Sequence, residues 1–405
     1  MRYYLWKEMH IVIYLDNGAT TFPKPECVYE AVDRFGRTGA VNAGRGAYKA
    51  AREATAMIRE VKRQLISLCD AKDQAEVALT PSVTVALNQI IFGRRWEAGM
   101  RAYVSPYEHN AVLRPLDLLR KRAGIEVIEL PLKEDLSIDL EETERMFRAA
   151  PPDFVSVTAI SNVTGYVLPA KEIFLLAKEY DAFTLLDASQ ALGLLKLRFA
   201  QLHCDVLAFA GHKTLYSPFG IAGFYIRNGV DLEEFIVGGN GTKSLSMDMP
   251  AYMPEKMESA SMNTVAIAGL QASLEWLKTV RPWKMETELM EYLIPRLEAI
   301  PGLTLYRAPT METQGGVISL NLDGFRANEV GAILDKEWDI AVRAGHHCAG
   351  FIHKYLKDKE HDGTVRVSLS VFNTKEDLDA LVHGLKSIDR EMLKGIDSGV
   401  LRGNC

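Results

Sequence analysis

The sequence predicts an α/β fold: a mostly parallel, seven-stranded sheet forming a large domain, followed by a smaller α+β domain. Three observations carry this. Apolar runs at 77–80, 101–106, 124–131, 154–161, 183–189, 206–210 and 223–227 alternate with helical stretches, as strands joined by helical crossovers do. The run Val206-Leu-Ala-Phe-Ala is apolar throughout and reads as a buried strand. From about residue 265 the alternation gives way to two successive helices and then mixed elements. At 405 residues the chain is too long for one small core. The expected division is 14–264 for the large domain and 265–390 for the small one, with 391–405 a frayed tail.

Taken in order, Met1–His10 is too short and polar for a signal peptide, and Met9 reads as an alternative start. A short strand at Tyr14-Leu15-Asp16 enters the polar turn Asn17–Thr21, and a glycine-flanked loop spans Asn42–Gly46. Helical spacing puts Met57, Val61, Leu65 and Leu68 on one face, and further on Ile173, Leu176, Ala177 and Tyr180. The second region reads as helices at 265–279 and 284–299, a strand at 316–322, a helix near 326–336 and a strand at 364–370. A last helix carries Leu378, Leu381, Leu385 and Ile388 behind a capping box of Thr374 and Asp377.

With 48% hydrophobic and 25% charged residues the composition is that of a globular protein, and no apolar run reaches membrane-spanning length. A net charge of −6 and a pI near 5.9 argue against nucleic acid or an anionic membrane as partner. Five scattered cysteines without a CxxC pair suit a reducing cytoplasm.

Ligands of open α/β sheets bind at the carboxyl ends of the strands. Here the run 183–187 ends on Asp187, and the run 206–210 leads through Gly211 and His212 to Lys213. A carboxylate and an amine so placed suit pyridoxal phosphate (PLP), Asp187 keeping the ring nitrogen protonated and Lys213 carrying the aldehyde as a Schiff base. Two solvated surface charges are the plainer alternative. Thr80–Thr84 opens a helix and suits a phosphate, or is an ordinary N-cap. His109, after the run 101–106, suits stacking on a ring, or is polar filler. Asn162 suits a phenolic oxygen, or an Asx turn. Gln190 adds a polar group three residues after Asp187. Together these strand ends favour PLP over each separate alternative.

A second cluster is Arg343-Ala-Gly-His-His-Cys348-Ala-Gly350. Its cationic neighbours favour the thiolate of Cys348. His346, His347, Cys348, His353 and His361 are enough ligands for a metal, but adjacent His-His-Cys converges poorly on one ion and no zinc spacing appears, so no metal is expected. A buried structural cysteine is the other alternative; the flanking glycines favour a mobile loop. Arg366, between Val365 and Val367, needs an anionic partner, either a substrate carboxylate or a structural salt bridge.

These segments, with Leu15-Asp16-Asn17, Glu108-His109, Ser161-Asn162-Val163, Gly211-His212-Lys213 and Phe372-Asn373-Thr374, resemble the cysteine desulfurase and selenocysteine lyase branch of the class V aminotransferase family, over Tyr14 to Ile388. The resemblance implies a fold-type I PLP enzyme. Lys213 would be the Schiff-base lysine, His109 the ring-stacking residue that aids proton transfer, and Asp187 the pyridinium partner. Gln190 and Asn162 would contact the phenolic oxygen, and Val83, Thr84 and His212 the phosphate. Ser261 would reach the neighbouring subunit's phosphate in a homodimer with shared sites. Arg366 would bind the substrate carboxylate, and Cys348 would accept the sulfur of L-cysteine before a sulfur-acceptor protein takes it on; with L-selenocysteine the selenium could leave without attack by Cys348. A β-lyase or aminotransferase with Cys348 a bystander is the alternative. The chain departs from the family pattern at Gly18, Tyr48 and Ala210, and lacks the usual proline after Cys348.

Overall fold

The structure, a computed structural model, describes residues 12–44, 46–241, 245–394 and 396. Met1–His10 and most of the 391–405 tail lie outside the described residues, as does Arg45 of the glycine-flanked loop. The strands are β1 (Ile13–Tyr14), β2 (Ala75–Thr80), β3 (Arg101–Val104), β4 (Glu126–Glu129), β5 (Phe154–Thr158), β6 (Phe183–Asp187) and β7 (Val206–Ala210). They continue with β8 (Ala222–Arg227), β9 (Leu303–Tyr306), β10 (Val317–Leu322), β11 (Ile340–Ala341), β12 (Arg343–Gly345) and β13 (Thr364–Ser368). The helices are α1 (Glu26–Thr38), α2 (Lys49–Leu68), α3 (Val83–Gly93), α4 (Asn110–Ala123), α5 (Leu140–Ala149) and α6 (Ala170–Lys178). Then come α7 (Phe199–Leu202), α8 (Thr264–Leu277), α9 (Pro282–Glu298), α10 (Ala327–Trp338), α11 (His353–Leu356) and α12 (Lys375–Ser387).

Two compact units result. The larger holds Pro23–Ile160 and Leu168–Arg281. Its sheet has the order β2-β8-β7-β6-β5-β3-β4, seven strands that coincide with the seven apolar runs. The pairs β7–β6, β6–β5, β5–β3 and β3–β4 are parallel; β8 runs antiparallel to both β7 and β2, so β2 again points with the majority. Every residue of β5, β6 and β7 is buried, which requires cover on both faces. Phe154 and Phe183, paired in register, stack at 5.7 Å. Helix α8 packs on α1 and α2 in this unit, with Gly269 letting Pro218 and Val32 approach where a Cβ would collide. The larger unit therefore runs on to Arg281, past the expected cut at 264.

The smaller unit holds residues 12–22, Ser161–Val167, and the described residues from Pro282 onward. Its four-stranded antiparallel sheet has the order β12-β13-β10-β9, and β1 pairs in parallel with β11. Leu15, Met290, Leu293, Ile318, Val365 and Leu381 belong to its core. The inclusion of 161–167 has a local cause. Gln314 Nε2 donates to the Thr164 carbonyl at 3.2 Å, and Ser319 Oγ donates to that of Val163 at 2.7 Å. Both halves of the Thr374–Asp377 capping box are formed. Among the described residues no helix is long and apolar enough to cross a membrane.

One buried acid in the smaller unit gives a stability test. Glu286 on α9 is 6% exposed and faces Gly316, where any Cβ would strike the carboxyl. Burial pushes its pKa up to about 8 from the ordinary 4.5. The unfolded chain therefore releases this proton first, so stability falls as pH rises from 4.5 toward 8 and levels off above. Glu286→Gln is expected to gain on the order of 2 kcal/mol over wild type between about pH 5 and about pH 8, read from urea midpoints. Parallel pH profiles for the two proteins would contradict this.

Candidate active site

In the larger unit, β2, β3, β5, β6 and β7 all end on one edge of the sheet, because they share a direction. The segments that follow them carry the predicted groups. After β2, Ser82 caps α3 by accepting from the Val85 amide at 3.3 Å, and Val83 and Thr84 form the first turn. That turn has N–H groups without intrahelical partners and no acidic side chain, a setting for an anion.

After β3 come Glu108 and His109. His109 caps α4, its Nδ1 accepting from the Ala111 amide at 3.0 Å, so that nitrogen bears a lone pair. Glu108 is fully buried and accepts from Ser105 Oγ (2.6 Å), Ser156 Oγ (3.1 Å) and the Thr158 amide (2.6 Å). Burial foremost, with the charge of Asp187 adding to it, pushes its pKa up to about 8, so it is held as the neutral acid. It ties the start of the His109 helix to the end of β5, whose Thr158 lies opposite Asp187 in the ladder.

Asp187 is buried at the end of β6, where Oδ1 accepts from the Ser189 amide (2.9 Å) and hydroxyl (2.5 Å); Gln190, also buried, follows three residues after Asp187. After β7, Gly211 is required by close approach: a Cβ there would lie 2.5 Å from the Ile221 carbonyl and the Ser217 hydroxyl. His212 stacks on Phe219 at 4.5 Å. Burial, then Lys213 and Lys24, lowers its pKa to about 3, so the ring is neutral. Lys24 donates to the His212 carbonyl at 2.7 Å, and burial lowers its own pKa to about 7. Sequence reasoning missed Lys24, which carries no motif and lies 188 residues from its partner. Ser261 is exposed and lines a cavity of about 250 Å³ with Asn42, Thr55, Arg59, Lys62 and Asn240, a cavity that Lys213, Asp187 and His109 do not line.

The donor set of this edge fits PLP: a buried carboxylate for a protonated ring nitrogen, an amine for an aldehyde, and a helix start for a phosphate. Ala210 is buried and offers no hydroxyl.

The smaller unit gathers Arg366, Asn162 and Cys348. Arg366 on β13 is 2% exposed. Its Nη2 pairs with Asp16 and its Nη1 donates to the Asn162 carbonyl at 3.2 Å, while its buried Nε has no partner among the described residues. The salt bridge is thus formed, and one donor is left over. Gly18 makes room for it, since a Cβ there would meet the guanidinium at 3.2 Å.

Asn162 Nδ2 donates to the His347 carbonyl at 2.7 Å, which binds it to the turn carrying Cys348. His347 Nε2 contacts the Thr364 carbonyl (3.0 Å) and hydroxyl (2.9 Å). Burial, helped by the charge of Arg366, holds the His347 ring well below its usual pKa and hence neutral. Cys348 is partly exposed at φ 57°. The segment is a hydrogen-bonded turn, the His346 carbonyl accepting from the Ala349 amide at 3.0 Å. Among the described residues no three His, Cys, Asp or Glu side chains gather as metal ligands.

A mostly parallel sheet bearing this carboxylate, lysine and helix start along one edge is that of the fold-type I PLP enzymes. The family model for class-V aminotransferases matches residues 13–381, and the chain belongs to that family. A cysteine desulfurase of Pectobacterium carotovorum is 32% identical over 391 residues, covering 93% of each chain. A probable cysteine desulfurase of Halalkalibacterium halodurans is 30% identical, covering 93% of this chain and 92% of its own. Among solved structures, the apo cysteine desulfurase of Thermococcus onnurineus superposes with a TM-score of 0.86 at 28% identity, over 93% of this chain and 94% of its own. The cysteine desulfurase CsdA of Escherichia coli gives 0.79 at 27%, over 92% and 93%.

Removing the Arg366 guanidinium leaves Asp16, whose side chain is 21% exposed, without its partner. Arg366→Ala is expected to cost about 3 kcal/mol in chemical denaturation. An unchanged midpoint would show that the pair contributes nothing to the fold.

Proposed function

We propose that the protein is a PLP-dependent cysteine desulfurase that converts L-cysteine to L-alanine and leaves the sulfur on Cys348 as a persulfide. The observation that supports this best is the carboxylate, lysine and helix start along one sheet edge of the larger unit, a donor set that suits PLP; the smaller unit presents a partly exposed thiol from a tied turn. The desulfurases among the relatives, matched over nearly their whole length, support it.

PLP, when bound, supplies an electron sink conjugated to the substrate Cα. Lys213 would hold the group through its aldehyde, and its amine would take the substrate Cα proton. Asp187, oriented by Ser189, would keep a proton on the ring nitrogen. His109, turned by its cap bond, would stack on the ring. Gln190 and Asn162 would serve the phenolic oxygen, and Val83, Thr84 and the neutral His212 the phosphate. Arg366 has its spare Nε–H for the substrate carboxylate. The Cys348 thiolate attacks the substrate sulfur: an S–S bond forms, the Cβ–S bond breaks, and its electron pair passes to carbon, which is protonated to the methyl group of alanine. The net balance is cysteine plus thiol giving alanine plus persulfide.

The same site accommodates L-selenocysteine, and a sulfur-acceptor protein receives the persulfide sulfur. The working form is a cytoplasmic homodimer in which Ser261 serves the neighbouring subunit's phosphate site.

The test is alanine release from L-cysteine by holoenzyme, wild type against Cys348→Ala. Wild type is expected to turn over and the variant to lose at least about a hundredfold in kcat. Alanine from neither protein, or equal release from both, would overturn the assignment.

A further inference from the structure

The turn that presents Cys348 is unfavourable by itself. His347 and Cys348 are its central residues, at φ 49° and 57°, and the His346 carbonyl accepts from the Ala349 amide at 3.0 Å. Positive φ at both central positions is the habit of Asn-Gly, and for side chains such as these it costs on the order of 1 kcal/mol or more per residue. Something must hold the turn in place.

One support comes from a pair that the chemistry above does not use. The same His346 carbonyl receives a second contact, from His353 Nε2 at 3.0 Å. The other nitrogen of that ring, Nδ1, faces the Asp358 carboxylate. A carbonyl only accepts, so Nε2 is the donor there, and the carboxyl group at Nδ1 fixes the ring from its other side, with side chains 6% and 3% exposed. The His353 ring also packs edge-on against His346 at 4.9 Å and tilted to His347 at 6.1 Å. At the base of the excursion, Gly363 lies so close to Gly345 that a Cβ would sit 2.5 Å from its carbonyl group.

We propose that His353, held by Asp358, is a positioning residue that keeps the 346–349 turn in its left-handed form and so aims the Cys348 thiol. The role in turnover rests on the desulfurase reading; the role in holding the turn does not.

The experiment pairs two readouts in the holoenzyme: the iodoacetamide alkylation rate of Cys348, with partly exposed Cys27 as internal control, and steady-state turnover of L-cysteine. His353→Ala is expected to release the turn, so alkylation of Cys348 rises about threefold or more while Cys27 is unchanged, and kcat falls about tenfold with KM within about twofold. His353→Gln, which keeps a donor for the His346 carbonyl, recovers most of both effects. Asp358→Asn moves both readouts in the same directions and serves if His353→Ala does not fold. Unchanged Cys348 alkylation, a parallel rise at Cys27, or a glutamine variant no better than alanine would overturn the proposal. If wild type releases no alanine, the desulfurase reading fails, and the alkylation arm still decides the role of His353.

Discussion

The shared direction of β2, β3, β5, β6 and β7 is the constraint on which the larger unit's chemistry depends. Strands that run the same way end on the same edge, so groups scattered from residue 83 to residue 213 are delivered together by topology alone. The strands β5 to β7 are buried along their whole length, which leaves their ends as the places where polar groups are tolerated. Glu108 shows the cost of placing one slightly too deep. It survives there as a neutral acid, satisfied by two hydroxyls and an amide, and in that form joins two strand ends instead of competing with Asp187 for positive charge.

The smaller unit works by a different principle. The side chains it gathers come from far apart in the chain, and Arg366, Asn162 and the residues flanking Cys348 are held by polar partners. Asp16 and Asn162 orient Arg366; Asn162, Thr364 and His353 hold the residues around Cys348. Both histidines beside the thiol have carbonyl or ring contacts that immobilise them, and His347 is kept neutral by burial. A left-handed turn secured in this way sets where the Cys348 side chain is presented.

Much of this was legible in the chain. The seven apolar runs are the seven strands because buried parallel strands leave an unbroken hydrophobic signature, and strand-end residues follow from strand positions. The capping box at Thr374 was legible because both its partners lie within one turn. What was not legible depends on long-range pairing. Asp16 meets Arg366 across 350 residues, and Lys24 reaches the His212 carbonyl from just before α1, with no local period to mark either. The pairing of His353 with Asp358 is local, but its spacing matches no helix or strand rule, and the sequence offered the histidine only as one of five candidate ligands for a metal that was not expected. The unit boundary was displaced for the same reason: α8 is sequence-adjacent to α9 yet packs on α1 and α2, and 161–167 is bonded to residues some 150 positions further on.

The central claim is that Cys348 itself receives the substrate's sulfur. It is tested most directly by incubating the PLP-loaded protein with L-cysteine, trapping thiols by alkylation, and weighing the peptide that contains Cys348. The account predicts that this peptide gains one sulfur atom, while those containing Cys27, Cys69 and Cys204 do not. Alanine release without added sulfur on Cys348, or sulfur found on another cysteine, would contradict it.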